Sequence, residues 1–380
     1  PPSIPMILYA VIAGCSVEQL FVAGFVPGFL GGFLMMAVSY IYAKRKNLPI
    51  EESFNIKNVK RTAKEAGLTF ILPIIILGGI FGGFVTATEA AGLAVITELP
   101  IVIVDVQRGG PSTGLPTKTE QSDLMQAMYG RNGESPVIVI AASTPSDCFN
   151  YAYQASKLAL EHMTPVILLT DGYIANGSEP WKIKSVTEMP EIKNNKVNKV
   201  TENWHPYDRD EERLARNWAV PGTFGLEHRI GGLEKDKITG NVSHVPENHE
   251  FMTKIRAEKI KRVQNYIPDL ETEFANSGEL LVIGWGGTYG SLHSAVKQLN
   301  AEGYDKIGYA HFNYINPLPK NTEELLTKFK KIIVCELNNG QFAKILKINF
   351  NGFEFLQFNK IQGLPFGNNE LIEEFKKLVK

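Results

Sequence analysis

Residues 101–124 read IVIVDVQRGGPSTGLPTKTEQSDL: a β-branched run, a loop rich in glycine and proline, and the expected start of a helix near Thr119. Such a run is typical of a buried strand of a parallel sheet, and ligands bind where these strands end. The loop exposes backbone N–H groups and hydroxyls, and Arg108 offers a forked donor for a carboxylate or phosphate. We therefore predict an anion-binding site formed by Arg108, Gly109, Gly110, Ser112 and Thr113.

The spacing of the loop excludes one kind of site and leaves one alternative. A nucleotide-binding P-loop ends in Gly-Lys-Ser or Gly-Lys-Thr, whereas Lys118 follows Thr117 here. A tight structural turn carrying a surface arginine remains possible from the residues alone. The small and turn-forming residues around the single arginine favour the binding site.

Two further β-branched runs, residues 136–142 and 165–171, alternate with helical patterns over 119–130 and 146–162. This alternation predicts parallel βα units of an α/β fold. All three runs are dominated by Val, Ile, Leu and Ala, so we expect each strand to be buried on both faces.

The remainder of the chain divides into a polar stretch and a second α/β series. Residues 172–270 are rich in Asn, Lys, Glu, Pro and Gly, which predicts a long surface connection with one helix near 248–265. The second series of strands and helices is expected at 280–287, 306–312, 331–337 and 344–350, with a closing helix at 369–379.

Two short motifs imitate cofactor sites. Residues 284–290, GWGGTYG, have the spacing G-x-G-x-x-x-G rather than the dinucleotide fingerprint, which favours a structural turn between strand and helix. The sequence TDG at 170–172, with Asn194 and Asn195 downstream, is similar to a pattern that binds magnesium diphosphate. It lacks the first glycine of that pattern, so no metal site is predicted from it.

Cysteine, histidine and charge exclude several classes of site. The three cysteines are far apart with no C-x-x-C, which argues against a disulfide framework, a cysteine-ligated cluster or a cysteine-rich zinc site in this chain. The seven histidines show no metal-ligand spacing and are expected to be surface or hydrogen-bonded structural residues. A net charge of −1 gives no nucleic-acid footprint.

The net charge of the whole chain averages over two regions of different charge content. Residues 1–97 contain 7 Lys/Arg and 5 Asp/Glu, whereas residues 98–380 contain 32 and 35. Within the first region Gln19–Ala43 and Ala66–Thr88 carry no charge, and each is long enough to span a bilayer. A pair of buried core helices is the alternative. Basic residues at the start of loop 44–65 predict that this loop faces the cytoplasm.

Three stretches of the first region carry a family resemblance: PPSIPMILYA (1–10), LFVAGFVPGFL (20–30) and GGIFGGFVTATEAA (78–91). Residues 1 to about 91 resemble part of the large permease of tripartite ATP-independent periplasmic (TRAP) transporters, which import C4-dicarboxylates driven by sodium. This resemblance implies an all-α membrane segment over residues 1–90. Only a fragment of such a permease is present, so transport by it is not expected.

The second region resembles another family over residues 88–380. RGGPSTG (108–114), TKTEQSDL (117–124), PGTFGLEHRIGG (221–232) and ELNNGQ (336–341) are similar to the α subunit of 2-oxoacid:ferredoxin oxidoreductases, especially the 2-oxoglutarate type. The resemblance implies a pyrimidine-type thiamine domain, partly present over 91–185, a connection over 186–270 and a transketolase C-terminal-like domain over 271–380.

The same resemblance implies the chemistry and the partners. Thiamine diphosphate and Mg²⁺ are shared with a β subunit, and that subunit carries the [4Fe–4S] cluster. The reaction is oxidative decarboxylation of a 2-oxoacid, with transfer of electrons to ferredoxin and of the acyl group to coenzyme A in the cytoplasm. The family's substrate-binding arginine and threonine correspond to Arg108 and Thr113.

The first hundred residues of the family's thiamine domain, with its activating glutamate, are replaced here by the transporter-like region. Glu89 and Glu98 do not correspond to the family's activating glutamate and do not substitute for it. A shortened sheet with an uncovered edge is therefore expected. Residues 86–100, TATEAAGLAVITELP, fit the patterns of both families, which predicts that the two regions join there without an evolved interface. The hypotheses are a truncated oxidoreductase α subunit, a transporter fragment, or a membrane-tethered module built from both.

Overall fold

A computed structural model describes residues 94–111, 114, 115, 117–201 and 204–379, with isolated helical positions at 30, 33–36, 38, 40, 42, 44 and 45. The chain divides into two units, Pro1–Ala87 and Thr88–Lys380. The domain limits at 90, 185 and 270 stay predictions.

The described positions of the first unit are helical and exposed. Predicted span 66–88 lies outside the described residues, as does most of span 19–43. Among the residues that the structure describes, no helix is both long enough and apolar enough to cross a membrane. The first part of the predicted junction, residues 86–93 of 86–100, also lies outside them.

The second unit begins with a sheet of parallel strands. Strand β1 (Ile101–Gln107) pairs with β3 (Pro165–Asp171), which pairs with β2 (Ile138–Ala141). In the β1–β3 register Gln107 lies opposite Asp171, so the carboxyl ends of these strands are neighbours. The α/β prediction with parallel strands is confirmed. The connecting helices are α1 (Leu124–Tyr129) and α2 (Pro145–His162).

Burial of β1 differs from the prediction. β2 and β3 are buried along their whole length, as expected, but Val104 and Val106 are 53% and 51% exposed. Val104 and Val106 are two residues apart and so lie on one face of β1, which is the end strand of the described sheet. The order of this sheet is β1-β3-β2-β9, where β9 is Tyr314–Asn316. The expectation of three fully buried strands is therefore wrong for β1, and the uncovered edge expected of a shortened domain stays a prediction.

The long connection is mainly irregular, as predicted. It contains the short helix α3 (Gly172–Ala175), the two-residue strands β4 (Lys196–Val197) and β5 (Trp218–Ala219), and helix α4 (Pro246–Arg262). Helix α4 confirms the helix expected near 248–265. A 3₁₀ turn at Val186–Glu188 and another at Val263–Tyr266 complete it.

The second sheet has the order β11-β10-β7-β8-β6, parallel except for the antiparallel edge strand β6. Strand β9 leaves this series and pairs antiparallel with β2, which ties the two sheets together. Its remaining elements are β6 (Thr272–Glu273), β7 (Gly278–Trp285), α5 (Tyr289–Ala301), β8 (Ile307–Phe312), β9 (Tyr314–Asn316), α6 (Thr322–Leu326), β10 (Phe329–Glu336), α7 (Gln341–Asn349), β11 (Phe355–Asn359) and α8 (Asn368–Leu378).

The run at 344–350, expected within the strand series, lies in helix α7. Phe342, Ala343, Ile345 and Leu346 are buried, which is the spacing of one helical face rather than of a strand. The carboxylate of Glu336 accepts hydrogen bonds from the N–H groups of Phe342 (2.7 Å) and Ala343 (2.9 Å) and so satisfies the first turn.

Apolar packing joins the two sheets into one core. Val139 and Leu169 of the first sheet belong to the same buried cluster as Trp285, Phe312 and Phe342 of the second. The loop after β1 therefore follows a strand of a sheet that shares its apolar core with the second sheet.

Candidate functional site

The loop after β1 is folded by its own backbone hydrogen bonds. Leu115 N–H donates to Gly109 O (3.1 Å), Gly114 N–H donates to Pro111 O (2.9 Å), and Lys118 N–H donates to Leu115 O (3.3 Å). These bonds return the chain to its starting point, so the loop closes at the carboxyl end of the parallel strands. Ligands bind in this position in parallel α/β sheets.

Two glycines make the closure possible. Gly114 has φ +49°, and a Cβ atom there would lie 1.5 Å from Gly109 O, so a side chain is excluded. A Cβ atom at Gly109 would lie 3.3 Å from both Glu120 Cδ and Leu115 Cβ. Gly110, in contrast, is exposed, and no atom lies within 4 Å of the place where its Cβ would be. The predicted residues Ser112 and Thr113 lie outside the described part of the loop.

Arg108 is half-buried, and a hydrogen bond fixes its backbone. Ser122 Oγ donates to Arg108 O at 2.6 Å. Within the described residues the guanidinium makes no hydrogen bond and no ion pair. A half-buried forked donor without an internal acceptor is suited to bind an external carboxylate.

One acid, Asp123, lies near this arginine, and a second, Asp105, lies near Asp123. Burial raises the pKa of Asp123, although a Ser122 hydrogen bond and the Arg108 charge both oppose the rise. Burial and the Asp123 charge raise the pKa of Asp105 to about 6. The charge of Arg108 therefore stabilises the ionised form of Asp123, although no ion pair joins the two side chains in the described part of the chain.

A cleft of about 430 Å³ opens beside the later part of the loop. Its lining comes from three segments that are distant in sequence: the loop after β1, helix α3 with the residues that follow it, and a turn near the C-terminus. The lining residues are Thr117, Lys118, Thr119, Gly172, Tyr173, Asn176, Gly177, Gly363, Leu364 and Pro365. Its volume lies in the range of small-molecule sites.

The two motifs that imitate cofactor sites are bonded to each other. Asp171 Oδ2 accepts from Gly287 N–H (3.1 Å), and its Oδ1 accepts from Thr119 Oγ1 (3.0 Å) and from the N–H groups of Tyr173 (2.8 Å) and Ile174 (3.2 Å). Asp171 is therefore a structural carboxylate whose two oxygens are both used. This agrees with the structural interpretation of residues 170–172 and 284–290.

Gln121 was not singled out from the sequence, yet it joins the loop to the second sheet. Its N–H donates to Leu337 O (3.0 Å), and its side-chain Oε1 accepts from Leu337 N–H (2.9 Å). Its Nε2 donates to Trp285 O (2.7 Å), and Asn338 Nδ2 donates to Gln121 O (2.9 Å). These contacts explain why α1 starts at Leu124 rather than near Thr119.

Glu98 lies in a buried ionic cluster. Its carboxylate pairs with both Arg209 and Lys259, and Arg216 Nε donates to the backbone oxygens of Thr97 (3.1 Å) and Glu98 (3.2 Å). Burial acts to raise the pKa of Glu98, but the charges of Lys259 and Arg209 outweigh it and keep this pKa below its usual value. Glu98 is thus engaged in structure, in agreement with its exclusion from the catalytic role.

One histidine departs from the prediction. His162 is fully buried and packs edge-to-face on Tyr266 at 5.1 Å, but neither ring nitrogen has a hydrogen-bond partner among the residues that the structure describes. Burial and the charges of Arg213 and Lys259 lower its pKa to about 3. It is therefore neither a surface nor a hydrogen-bonded histidine. Among the described residues no group of three or more His, Cys, Asp or Glu is placed to hold a metal ion.

Comparison with known proteins finds two families. Residues 82–245 match the model "Pyruvate flavodoxin/ferredoxin oxidoreductase, thiamine diP-bdg", and residues 1–144 match "Tripartite ATP-independent periplasmic transporter, DctM component". A solved structure of 2-oxoglutarate:ferredoxin oxidoreductase from Magnetococcus marinus, with 2-oxoglutarate, coenzyme A and succinyl-CoA bound, is 31% identical with a TM-score of 0.71. That match covers 77% of this chain and 51% of the other.

The curated relatives include several subunits named KorA. The 2-oxoglutarate oxidoreductase subunit KorA of Mycobacterium tuberculosis is 50% identical over 283 residues, which is 71% of this chain and 43% of the relative. The 2-oxoglutarate synthase subunit KorA of Methanothermobacter marburgensis is 31% identical over 280 residues, 70% of this chain and 73% of the relative. The chain thus spans less than half the length of the Mycobacterium relative. It belongs to the KorA family of 2-oxoglutarate:ferredoxin oxidoreductase α subunits.

Proposed function

We propose that this chain forms the substrate-binding part of a 2-oxoacid:ferredoxin oxidoreductase α subunit, with Arg108 binding the carboxylate next to the 2-oxo carbon. The observation that supports this role is the half-buried guanidinium of Arg108, which has no acceptor among the described residues. A charge-assisted bidentate bond to a carboxylate would satisfy it. Thr113 and Ser112 would add hydroxyl donors, and Gly109 and Gly110 would let the ligand approach the backbone.

The cofactor implied by the family is thiamine diphosphate with Mg²⁺, and the described residues do not complete a site for it. Both oxygens of Asp171 are bonded internally, and Glu98 is bound by two cations. We therefore assign this chain a role in substrate binding and no covalent step. A β subunit would bring the magnesium diphosphate motif and the [4Fe–4S] cluster, with ferredoxin and coenzyme A as further cytoplasmic partners.

Binding of 2-oxoglutarate to the full chain tests the role of Arg108. Ligand-detected NMR should show binding by the wild-type chain. Arg108→Lys should weaken it about tenfold or more, because one charge-assisted bidentate contact is lost. The control is Arg229→Lys on an exposed residue of the long connection. Equal affinity of Arg108→Lys and wild type would remove Arg108 from the binding site.

A second candidate function rests on the transporter match over residues 1–144. In this case residues 19–88 would insert in a membrane with loop 44–65 in the cytoplasm, as part of a dicarboxylate permease. Sodium-driven uptake of a C4-dicarboxylate by vesicles that contain the chain would support it. Absence of uptake, together with recovery of a β subunit by affinity purification of the chain, would favour the oxidoreductase.

A further inference from the structure

We propose that residues 176–193, here called the strap, form a lid on one side of the 430 Å³ cleft, and that the carboxylate of Glu179 holds this lid closed. The strap follows helix α3 and runs along helix α2 (Pro145–His162). Its first two residues, Asn176 and Gly177, line the cleft. Opening of the strap therefore widens the cleft, whatever ligand Arg108 binds.

Glu179 fastens the strap to the first turn of α2. Its Oε1 atom accepts hydrogen bonds from Thr144 Oγ1 (2.7 Å) and from the N–H group of Ser146 (2.6 Å). The N-terminus of a helix carries unpaired N–H groups and a partial positive charge, so it attracts a carboxylate. Hydrogen bonds from Ser146 and Thr144 also hold the pKa of Glu179 below its usual value. Glu179 is therefore charged and bound at neutral pH, although its side chain is exposed.

Two contacts in the middle continue the strap along α2. The rings of Trp181 and Phe149 pack with their centroids 5.0 Å apart. Further along, Tyr153 Oη donates a hydrogen bond to the backbone oxygen of Pro190 at 2.5 Å. The strap is slack between these points, since the stretch from Trp181 to Pro190 contains more residues than the stretch of helix from Phe149 to Tyr153.

The far end of the strap is fastened by Glu161, in the last turn of α2. The carboxylate of Glu161 accepts hydrogen bonds from the N–H group of Lys193 (3.1 Å) and from Lys157 Nζ (2.9 Å). Its side chain is 3% exposed, so this anchor is itself well supported. The strap is thus fastened at both ends of one helix, and its contacts follow the same order along both segments.

Between these contacts the strap has no core of its own. None of its residues whose exposure the structure describes is buried. The carboxylate of Glu188 bonds within the strap, to the N–H group of Ser185 (2.7 Å). A segment with few contacts and no buried apolar side chains opens at a low free-energy cost. Because a longer free segment costs more entropy to order, loss of one anchor weakens the others, and the strap should open as one unit.

The cleft wall depends on the first of these anchors. The N–H group of Gly177 donates to Ile174 O (3.2 Å), and a Cβ atom on Gly177 would lie 3.1 Å from Pro145 Cγ. This part of the wall therefore lies between α3 and the start of α2. Glu179 follows it closely in sequence, so release of Glu179 removes the support that α2 gives to the wall.

Hydrogen–deuterium exchange of the full chain, resolved to single residues by mass spectrometry, tests the strap without a ligand. The N–H groups of Gly177, in the cleft wall, and of Lys193, at the far end, should have the same protection factor in the wild-type chain. Glu179→Ala should lower both about tenfold, because the contact with the helix N-terminus is lost. Tyr153→Phe, which removes one hydroxyl contact, should lower both by a smaller common factor. The control is Glu188→Ala, whose lost bond lies within the strap, and it should leave both unchanged.

Several outcomes would overturn the proposal. They are unequal protection of Gly177 and Lys193 in the wild-type chain, an effect of Glu179→Ala that does not reach Lys193, and an equal effect of Glu188→Ala. Faster exchange that extends into strand β3 would also overturn it, since the whole domain and not the strap would then open. Circular dichroism should show the same fold for all variants. None of these results depends on the role of Arg108, which is tested separately by ligand binding.

Discussion

The ionic cluster around Glu98 and the loop from Arg108 to Lys118 use the same charged groups in opposite ways. Glu98 is 1% exposed and pairs with Arg209 and Lys259, so its charge is neutralised within the folded protein. Arg108 and Lys118 lie in the loop after β1, and within the described residues neither side chain makes a hydrogen bond or an ion pair. The partners of a charged residue therefore indicate, more than its type does, whether its role is structural or in binding.

The largest change in stability is expected when the ionic cluster around Glu98 is disrupted. Glu98→Gln should lower the free energy of unfolding by about 3–5 kcal/mol, because Arg209 and Lys259 are then buried without their anion. Urea denaturation followed by circular dichroism measures it.

The matched control for this change is Glu258→Gln, which removes an i,i+4 pair with Arg262 on a partly exposed helix face and should cost less than about 0.5 kcal/mol. A similar small loss for both variants would mean that the buried cluster contributes no more than a surface pair.

A smaller effect is expected at His162, a buried group whose ring nitrogens have no hydrogen-bond partner within the described part of the chain. His162→Phe should stabilise the fold by about 1–3 kcal/mol at pH 7, since two unbonded ring nitrogens are removed and the contact with Tyr266 can be kept. Thermal or urea unfolding of both proteins at several pH values measures this gain.

The sign of the pH dependence follows from the lowered pKa of His162. The folded value of about 3 lies below the unfolded value of about 6.5, so folding favours the neutral ring. Its contribution is fully present above pH 6.5 and is lost as the pH falls from 6.5 towards 3. The gap between His162→Phe and wild type should therefore widen on acidification. A gap that is constant with pH would show that folding does not lower the pKa of His162.

The smallest expected effect sharpens the contrast at the loop. Arg108→Lys should change the free energy of unfolding by less than about 0.5 kcal/mol, because the guanidinium makes no bond within the described residues. The measurement is the same urea denaturation. A loss above about 1 kcal/mol would assign Arg108 to structure, as the alternative of a tight turn with an arginine proposes.

The sequence predicted those parts of the fold that depend on nearby residues. The buried strand at 165–171 and the helix near 248–265 follow from local apolar runs and helical patterns. The loop with Arg108 was also visible, because glycine, proline and one arginine follow a strand. Helix α7 was missed because residues 344–350, with isoleucines at 345 and 348, were placed in the strand series, whereas their apolar spacing fits one helical face.

What the sequence did not predict depends on distant partners. Glu98 meets Lys259 161 residues later, and Gln121 meets Trp285 164 residues later, so no local pattern marks either residue. The exposed face of β1 depends on which strands lie beside it, which its own residues do not state.

The contacts of Gln121 have a consequence for how the molecule opens. Its backbone and side chain make four hydrogen bonds to the second sheet, so the loop after β1 cannot separate from that sheet without breaking all of them. Neighbouring buried amides in such a unit exchange with solvent together rather than one by one. The backbone N–H groups of Gln121 and Leu337 each donate a hydrogen bond to the other residue. They should therefore share one slow deuterium-exchange rate. The loop after β1 would then open as rarely as the core against which it packs.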